Sequence, residues 1–331
     1  MSDLLSDITD IEKLKALLAE REKAGKNRQI HSEEMIDALS HRVKGQDHVI
    51  RDLVSYVRRQ WARLKRDRPI ASLVLLGPTG TGKTELAKAL TEYLYEKEEN
   101  MLRFDCSELK HPQEAMARLI GTNGVYRGAK PGELTQPVVN NPRRVILFDE
   151  IEKGCQEFHD LFLTVMGEGR LTDQNTGRVA DYTECIIVLT SNLEHEAVGR
   201  IQEQHSDPDE MNNAVKQHLR DIKAFRPEIV GRFDRVYVFK TLEGIVVAEI
   251  AALKMAKNAR AYGLELEYVD PRLIFQAMER SEKVKDFGVR ELDRIVGEIM
   301  DEPCIAAREA GAKRIRIDID DNTGELIVNA V

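Results

Sequence analysis

The stretch SLVLLGPTGTGKTELAKAL at residues 72–90 constrains the fold more than any other part of this sequence. Its apolar beginning is typical of a buried strand, and a helical pattern of apolar residues starts at Lys83. Between them, three glycines in six positions let successive backbone N–H groups point at one anion. A helix that begins there adds the positive end of its dipole. The spacing G-x-x-x-x-G-K-S/T therefore predicts a strand–loop–helix unit that binds a polyphosphate.

The loop residues have separate expected roles. Lys83 would reach the terminal phosphates, and Thr84 would offer its hydroxyl to Mg²⁺. The other residues expected to contact the nucleotide are Gly77, Pro78, Thr79, Gly80, Thr81, Gly82 and Glu85. A glycine-rich turn with an incidental lysine is the weaker interpretation, because a strand pattern precedes this loop and a helix pattern follows it.

Residues 72 to about 240 alternate short apolar runs with helical patterns. Such alternation predicts an α/β fold with a parallel sheet and helices on both faces. The predicted strands lie in LVLLG, NMLRFDCSEL, RVILFDE, CIIVLTSN and RVYVF. After residue 241 the pattern changes to three helices at 243–262, 271–281 and 288–310, followed by the strand pair RIRIDID and ELIV.

Polar side chains follow two of the predicted strands, at the strand ends where ligands bind in parallel sheets. Asp149 and Glu150 end the strand RVILFDE, and we expect Asp149 to hold Mg²⁺ while Glu150 orients and polarises the attacking water. Asn192 follows the strand CIIVLTSN and could hydrogen-bond that water or the terminal phosphate without adding charge. Taken alone, Asn192 is more typical of a turn. The pair of acids favours hydrolysis over simple nucleotide binding.

These patterns divide the chain into three parts. Residues 1–30 contain an amphipathic helix and a linker, and residues 31–240 form a large nucleotide-binding domain. Residues 241–331 form a small, mainly helical domain that ends in a short β pair. The leading helix, at residues 4–24, either packs on its own domain or docks on a neighbour or an adaptor.

Composition excludes several classes of protein. The formal net charge of −8 argues against a nucleic-acid partner, and the basic run from Arg58 to Arg68 fits a solvated helix face better. No apolar run approaches the roughly 20 residues that cross a bilayer, and the N-terminus lacks the basic start of a signal peptide. The four cysteines form no CxxC pair and are expected to be reduced. We therefore expect a cytoplasmic protein without a membrane partner.

Several segments, in this order and at family spacing, resemble the second ATPase module of the Clp unfoldases and disaggregases of the AAA+ superfamily. They are HRVKGQDHVI, GPTGTGKTELAKAL with the Walker A motif, RVILFDEIEK with the Walker B motif, GEGRLTD, TSNLE, FRPEIVGRFD and FGVREL. The resemblance implies the AAA+ P-loop NTPase fold with a small helical lid domain. It also implies a homo-oligomeric ring, usually hexameric, that binds ATP and Mg²⁺ at each subunit boundary and acts on protein substrates through a central pore.

The resemblance assigns roles residue by residue. Arg232 matches the arginine finger that reaches the neighbouring subunit's phosphate, and Arg290 matches the sensor 2 arginine of the small domain. Asn192 matches sensor 1, and Val43 and Lys44 match the segment that holds adenine. Spacing alone would also allow either arginine to form a surface ion pair.

The sequence departs from the family in its loops. GTNGVYRGAKPGELT is slightly shorter than the family's aromatic pore loop, and its aromatic residue, Tyr126, is followed by Arg127. These two residues are the candidates for gripping substrate, and GRLTDQNTGRVADY fits the family's lower pore loop. Residues 196–222 contain no match to the family's peptidase-docking tripeptide, so no peptidase partner is expected. The expectation is a single-module protein.

Three functions follow from these features. The first is a motor that hydrolyses ATP to remodel, unfold or disassemble proteins, which Glu150, Asn192 and the two arginines favour. The second is an ATP-dependent oligomeric scaffold or switch that recruits a partner without threading, which the displaced Tyr126 favours. The third, a DNA-remodelling ATPase, is disfavoured by the acidic net charge.

Overall fold

The computed structural model describes residues 29–124, 128–282, 291–320 and 326–330. The helices in these ranges are α1 Ser32–Arg42, α2 Asp47–Trp61, α3 Lys83–Tyr95, α4 Pro112–Ile120, α5 Thr135–Asn140, α6 Gln156–Glu168, α7 His195–Gln204, α8 Pro208–Asp221, α9 Pro227–Arg232, α10 Ile245–Ala261, α11 Pro271–Glu282 and α12 Glu291–Glu309. The strands are β1 Ala71–Leu76, β2 Met101–Asp105, β3 Val145–Asp149, β4 Arg170–Thr172, β5 Val179–Asp181, β6 Ile186–Ser191, β7 Arg235–Val238, β8 Glu265–Val269, β9 Arg314–Ile319 and β10 Leu326–Ala330. Short 3₁₀ turns lie at Glu98–Asn100, Cys106–Glu108 and Ile151–Lys153.

A parallel five-stranded sheet in the order β2-β3-β6-β1-β7 forms the centre of the large part of the chain. Alternate residues of β1 enter different hydrophobic clusters, Leu73 and Leu75 on one face and Val74 and Leu76 on the other. Helices α1, α2 and α3 cover the first face, and α6, α8 and α9 contribute to the cluster on the second. The five predicted strands and the parallel sheet between helices are confirmed.

The strand order brings the polar strand ends together. β6 pairs with β1 on one side, where Leu76 lies opposite Ser191, and with β3 on the other, where Phe148 lies opposite Leu189. The segments that follow β1, β3 and β6 therefore leave the sheet side by side at one edge.

The residues after 241 have a separate hydrophobic cluster built from α10, α11, α12 and β9. The predicted strand pair is present as antiparallel β9 and β10, but the prediction was incomplete, because β8 pairs with β9 in parallel and makes a three-stranded sheet. β8 was missed even though Leu264, Leu266 and Tyr268 alternate with Glu265 and Glu267, as in a strand. The strand is only five residues long, it lies between two helical patterns, and all five of its residues are exposed or half-buried. The boundary near residue 240 stays a prediction.

Two further segments complete the large part of the chain. Residues 196–222 include most of α7 and all of α8, whose Val198, Val215 and Leu219 are buried in the main core. Pro227 begins helix α9, as suits its fixed φ and missing N–H. No helix in the described ranges is long and apolar enough to cross a bilayer.

Some predictions fall outside the described residues. These are the leading helix at 4–24, the pore-loop residues Tyr126 and Arg127, and the sensor arginine Arg290.

Candidate functional site

The glycine-rich loop joins β1 to α3 and needs its glycines. Gly77, Gly80 and Gly82 all have positive φ, at 141°, 81° and 100°. A Cβ atom on Gly77 would lie 2.6 Å from the carbonyl oxygen of Phe239, and one on Gly82 would lie 3.2 Å from Cγ1 of Val43. The loop therefore packs closely on Phe239, which follows β7, and on Val43, which follows α1. Lys83 comes directly after the loop as the first residue of α3.

Lys83 is buried at the base of this loop. Its Nζ donates to the carbonyl oxygens of Gly77 at 2.6 Å and Pro78 at 2.7 Å, and to Oδ1 of Asn192 at 2.8 Å. A lysine ammonium has three N–H donors, so these acceptors hold it in place beside the end of β6. The structure thus brings together two predicted residues from different connections: Lys83, after the loop that follows β1, and Asn192, directly after β6.

The Asp149 carboxylate, at the end of β3, faces Thr84. Oγ1 of Thr84 lies 3.4 Å from Oδ2 of Asp149, and Oδ1 of Asp149 accepts a hydrogen bond from the Thr190 hydroxyl. A carboxylate and a hydroxyl at the foot of a phosphate loop are the oxygen donors that Mg²⁺ takes together with nucleotide phosphates. The two residues predicted to hold Mg²⁺ therefore fit that ion.

Glu150 follows directly and has a left-handed backbone conformation, with φ of 56°. Its Oε1 accepts from Nδ2 of Asn192 at 3.4 Å, and its Oε2 accepts from Nζ of Lys153 at 2.7 Å. The hydrogen bond to Glu150 raises the pKa of Lys153. A non-glycine residue with this φ is strained by about 1–3 kcal/mol and is frequent at functional sites, so the strain agrees with a role for Glu150.

These side chains line a cleft of about 620 Å³ that also receives residues from the part of the chain after 241. The cleft is lined by Thr79, Gly80, Gly82, Lys83, Thr84, Glu85, Lys88, Arg103, Asp105, Asp149, Glu150, Asn192, Lys254 and Asp293. Lys254 of α10 pairs with Asp293 of α12 at this surface. The cleft has the size of a ligand pocket and an excess of polar lining residues, as a phosphate site requires.

A second cavity of about 390 Å³ continues from the first toward α1. Val43 and Lys44 line it, together with Leu242, Ile250 and Leu253. The lining is mixed, because Arg42, Glu85, Lys88, Lys254, Lys257 and Asp293 also line this cavity. Its apolar side chains offer a surface on which a purine base could pack, and the roles of Val43 and Lys44 stay predictions. Glu85 lines both cavities and accepts a hydrogen bond from Nε of Arg42 at 2.8 Å.

Arg232 stands apart from the cleft. It is the last residue of α9, its side chain is exposed, and it does not line either cavity. The structure therefore brings together Lys83, Thr84, Asp149, Glu150 and Asn192 but leaves Arg232 elsewhere on the same chain.

Sequence reasoning missed five residues that line the cleft: Lys88, Arg103, Asp105, Lys254 and Asp293. It also missed Thr190, whose hydroxyl donates to Asp149, and the ion pair in which Nη2 of Arg103, on β2, lies 2.7 Å from Oδ2 of Asp149. Arg103 could have been predicted only from the pairing of β2 with β3, because the sequence pattern predicts the strands but not their order in the sheet.

The chain is similar in sequence to known proteins. The sequence model of the family described as AAA domain (Cdc48 subfamily) matches residues 68–236. Chaperone protein ClpB 2 from Nostoc sp. is 37% identical over 303 residues, which cover 89% of this chain and 33% of that protein. The negative regulator of genetic competence ClpC/MecB from Bacillus subtilis is 34% identical over 310 residues, covering 89% of this chain and 37% of that protein.

A solved structure, the extended conformation of the S. cerevisiae Hsp104:casein complex, has a similar fold. The TM-score is 0.73 at 26% identity, and the match covers 89% of this chain and 52% of that chain. The chain spans roughly a third of the length of the ClpB and ClpC relatives named above.

Proposed function

The chain belongs to the Clp family of AAA+ ATPases, and from this membership we propose that it is a ring ATPase that remodels, unfolds or disassembles proteins. The observation that carries the proposal is the convergence of Lys83, Asp149, Glu150 and Asn192 in one polar cleft. A cation, a metal-binding carboxylate, a second acid and a neutral amide are the groups that phosphoryl transfer to water needs.

The residues of the cleft would have separate roles in ATP hydrolysis. Thr84 and Asp149 would hold Mg²⁺, which neutralises charge on the phosphates when it is bound. Lys83 would exchange its loop carbonyls for phosphate oxygens while keeping its contact with Asn192. Glu150 would orient and polarise the attacking water, with Asn192 at its Oε1 and Lys153 at its Oε2 fixing the carboxylate.

We infer that the remaining charge comes from a second copy of the chain. Arg232 is exposed and outside its own cleft, so the phosphate it contacts would belong to a neighbouring subunit. Arg290 would contact the nucleotide from the small domain of the same chain. The proposed assembly is a homo-oligomeric ring, hexameric by analogy with the family.

The proposed substrate is a polypeptide. The Hsp104 structure is that of a casein complex, and by analogy Tyr126 and Arg127 would contact a polypeptide in the central pore. We propose neither a peptidase partner nor a nucleic-acid partner. We propose a cytoplasmic location, to which the four free cysteines are suited. An adaptor would bind through the leading helix.

Dilution tests the proposal. If Arg232 completes a neighbour's site, ATPase activity per chain should fall as the assembly dissociates, in parallel with its sedimentation. Activity per chain that stays constant while the assembly falls apart would overturn the shared site.

A further inference from the structure

The guanidinium of Arg232 lies on the surface of helix α6, against a glycine. A Cβ atom placed on Gly167 would lie 3.2 Å from Cζ of Arg232 and 3.3 and 3.5 Å from its two terminal nitrogens. Among the described residues, this guanidinium has neither a hydrogen-bond partner nor an ion-pair partner, and the side chain is exposed. Its position therefore depends on the helix surface beneath it.

Helix α9 packs against α6 through other contacts. Arg226, just before α9, forms an ion pair with Asp160 of α6, and Ile229 and Val230 of α9 are buried in the core cluster that includes α6. Asp160 and Gly167 are seven residues apart and so lie on the same face of α6, two turns from each other. Both ends of α9 thus rest on one face of α6, and Gly167 lies under the arginine.

Nothing in the backbone requires glycine at position 167. Gly167 lies inside the last turn of α6 without a positive φ, and the left-handed residue that ends the helix is Gly169, with φ of 65°. Glycine in a helix is less stable than alanine by up to about 1 kcal/mol. The space that Gly167 leaves is the space in which the guanidinium of Arg232 lies.

We propose that Gly167 is a positioning residue for Arg232. By having no side chain, it lets the guanidinium lie flat on α6 and point to the neighbouring subunit's phosphate. The inference rests on the proposed function, in which Arg232 acts on a neighbour. It adds a residue that touches no nucleotide and yet sets how fast the neighbour hydrolyses ATP.

The size of the effect should follow the size of the side chain. Alanine would push the guanidinium by only a few tenths of an ångström, since the atoms it meets are the far end of a flexible side chain. Leucine would fill the volume that the guanidinium now occupies and force it elsewhere. A misplacement of about 1 Å can reduce a rate by roughly 10²-fold.

The test compares Gly167→Ala and Gly167→Leu with Gly199→Ala and Gly199→Leu. Gly199 is a matched control, because it also lies half-buried in a helix, α7, and an added Cβ atom there would meet nothing within 4 Å. We expect ATPase activity to fall severalfold in Gly167→Ala and on the order of 10²-fold in Gly167→Leu. Affinity for ADP, the thermal midpoint and the assembled state should match those of the Gly199 variants, which should keep wild-type activity.

Mixed assemblies separate an effect on the neighbour from an effect within the chain. Chains with Glu150→Gln keep Arg232 and Gly167 but should not hydrolyse ATP, so mixing them with Gly167→Leu chains should raise activity above the sum of the two. An Arg232→Ala chain mixed with Glu150→Gln is the reference and should recover in the same way. Recovery of that reference without recovery of Gly167→Leu would overturn the role of Gly167 alone. Failure of both mixtures would overturn the shared site and this inference together.

A double-variant cycle gives a second measurement. If Gly167 acts only through Arg232, then Gly167→Leu should have no further effect on ATPase activity in an Arg232→Ala chain. Equal fold losses in both backgrounds would show that Gly167 acts by another route and would overturn the proposal.

Discussion

Nη2 of Arg103 lies 2.7 Å from Oδ2 of Asp149, the carboxylate oxygen that faces the Thr84 hydroxyl. The guanidinium is half exposed and lines the cleft, whereas the carboxylate is mostly buried. A protein cation therefore balances the carboxylate at the place where Mg²⁺ is expected. This relationship joins an unpredicted residue of β2 to a predicted one of β3.

Replacing Arg103 by glutamine should increase the dependence of nucleotide binding on Mg²⁺. In the variant without Mg²⁺, the cleft has one cation fewer for ADP, so ADP should bind more weakly. With Mg²⁺, the Asp149 carboxylate no longer pairs with Arg103 and attracts the metal ion more strongly, which offsets the lost charge. Because the pair is partly exposed, we expect the ratio of the two dissociation constants to grow on the order of fivefold or less. Calorimetric titration of ADP with and without Mg²⁺ measures it, and Arg118→Gln, outside the cleft, is the control. An unchanged ratio would contradict the prediction.

Asp173 ties two loops together through a fully buried carboxylate. Its Oδ2 accepts from the backbone N–H of Gly132 at 2.8 Å and from the Thr135 hydroxyl at 2.5 Å, and its Oδ1 accepts from Thr176. Burial would raise the pKa of Asp173, but the hydrogen bonds from Thr135, Gly132 and Thr176 outweigh it and lower the pKa below the usual 3.8. The charged form is therefore the one that the fold stabilises.

Replacing Asp173 by asparagine should lower the free energy of unfolding by roughly 1–3 kcal/mol at neutral pH. A lowered folded-state pKa stabilises the fold above the unfolded-state pKa, and this contribution is lost as the pH falls through the folded-state value. The difference between wild type and variant should therefore shrink below about pH 4. Urea unfolding across that range measures it, and the exposed Asp181→Asn is the control. A difference that stays constant with pH would show that the carboxylate charge is not responsible.

Gly77 has less room for a side chain than Gly82. An added Cβ atom would lie 2.6 Å from the Phe239 carbonyl oxygen, which is backbone and cannot rotate away, and φ is 141°. Gly77→Ala should therefore abolish ADP binding. It should also lower the free energy of unfolding by roughly 1–3 kcal/mol, which is the cost of strained backbone conformations in other proteins. Thermal unfolding and ADP titration measure the two effects. Gly199→Ala should instead be neutral or stabilising, and a Gly77→Ala protein with wild-type stability and affinity would contradict the close approach.

The parts of the fold that sequence predicted are those set by local pattern. The strand before Gly77, the helix at Lys83 and the acids after β3 each follow from residues within one short window. Local pattern also identified the polar strand ends, because a buried strand must give way to polar residues where it leaves the sheet.

The parts that sequence did not predict depend on neighbours distant along the chain. The ion pair of Arg103 with Asp149 requires the strand order, and the contact of Lys254 with the cleft requires the placement of α10 on the large part of the chain. The contact of Gly167 with the Arg232 guanidinium likewise requires the packing of α9 on α6. Such contacts are set by packing, for which a single sequence has no periodic signal.

Glu150→Gln should separate ATP binding from hydrolysis. Glutamine keeps an oxygen for Nδ2 of Asn192 but loses the negative charge that polarises water and pairs with Lys153. ATPase activity should therefore fall by about 10²–10⁴-fold, while ATP affinity and the assembled state remain. ATP that stays bound should hold the assembly on the polypeptide it normally releases, so a pull-down in ATP should retain substrate that the wild type loses. Glu114→Gln, in the first turn of α4, is the matched control. A Glu150→Gln protein that hydrolyses ATP at the wild-type rate would remove Glu150 from the reaction.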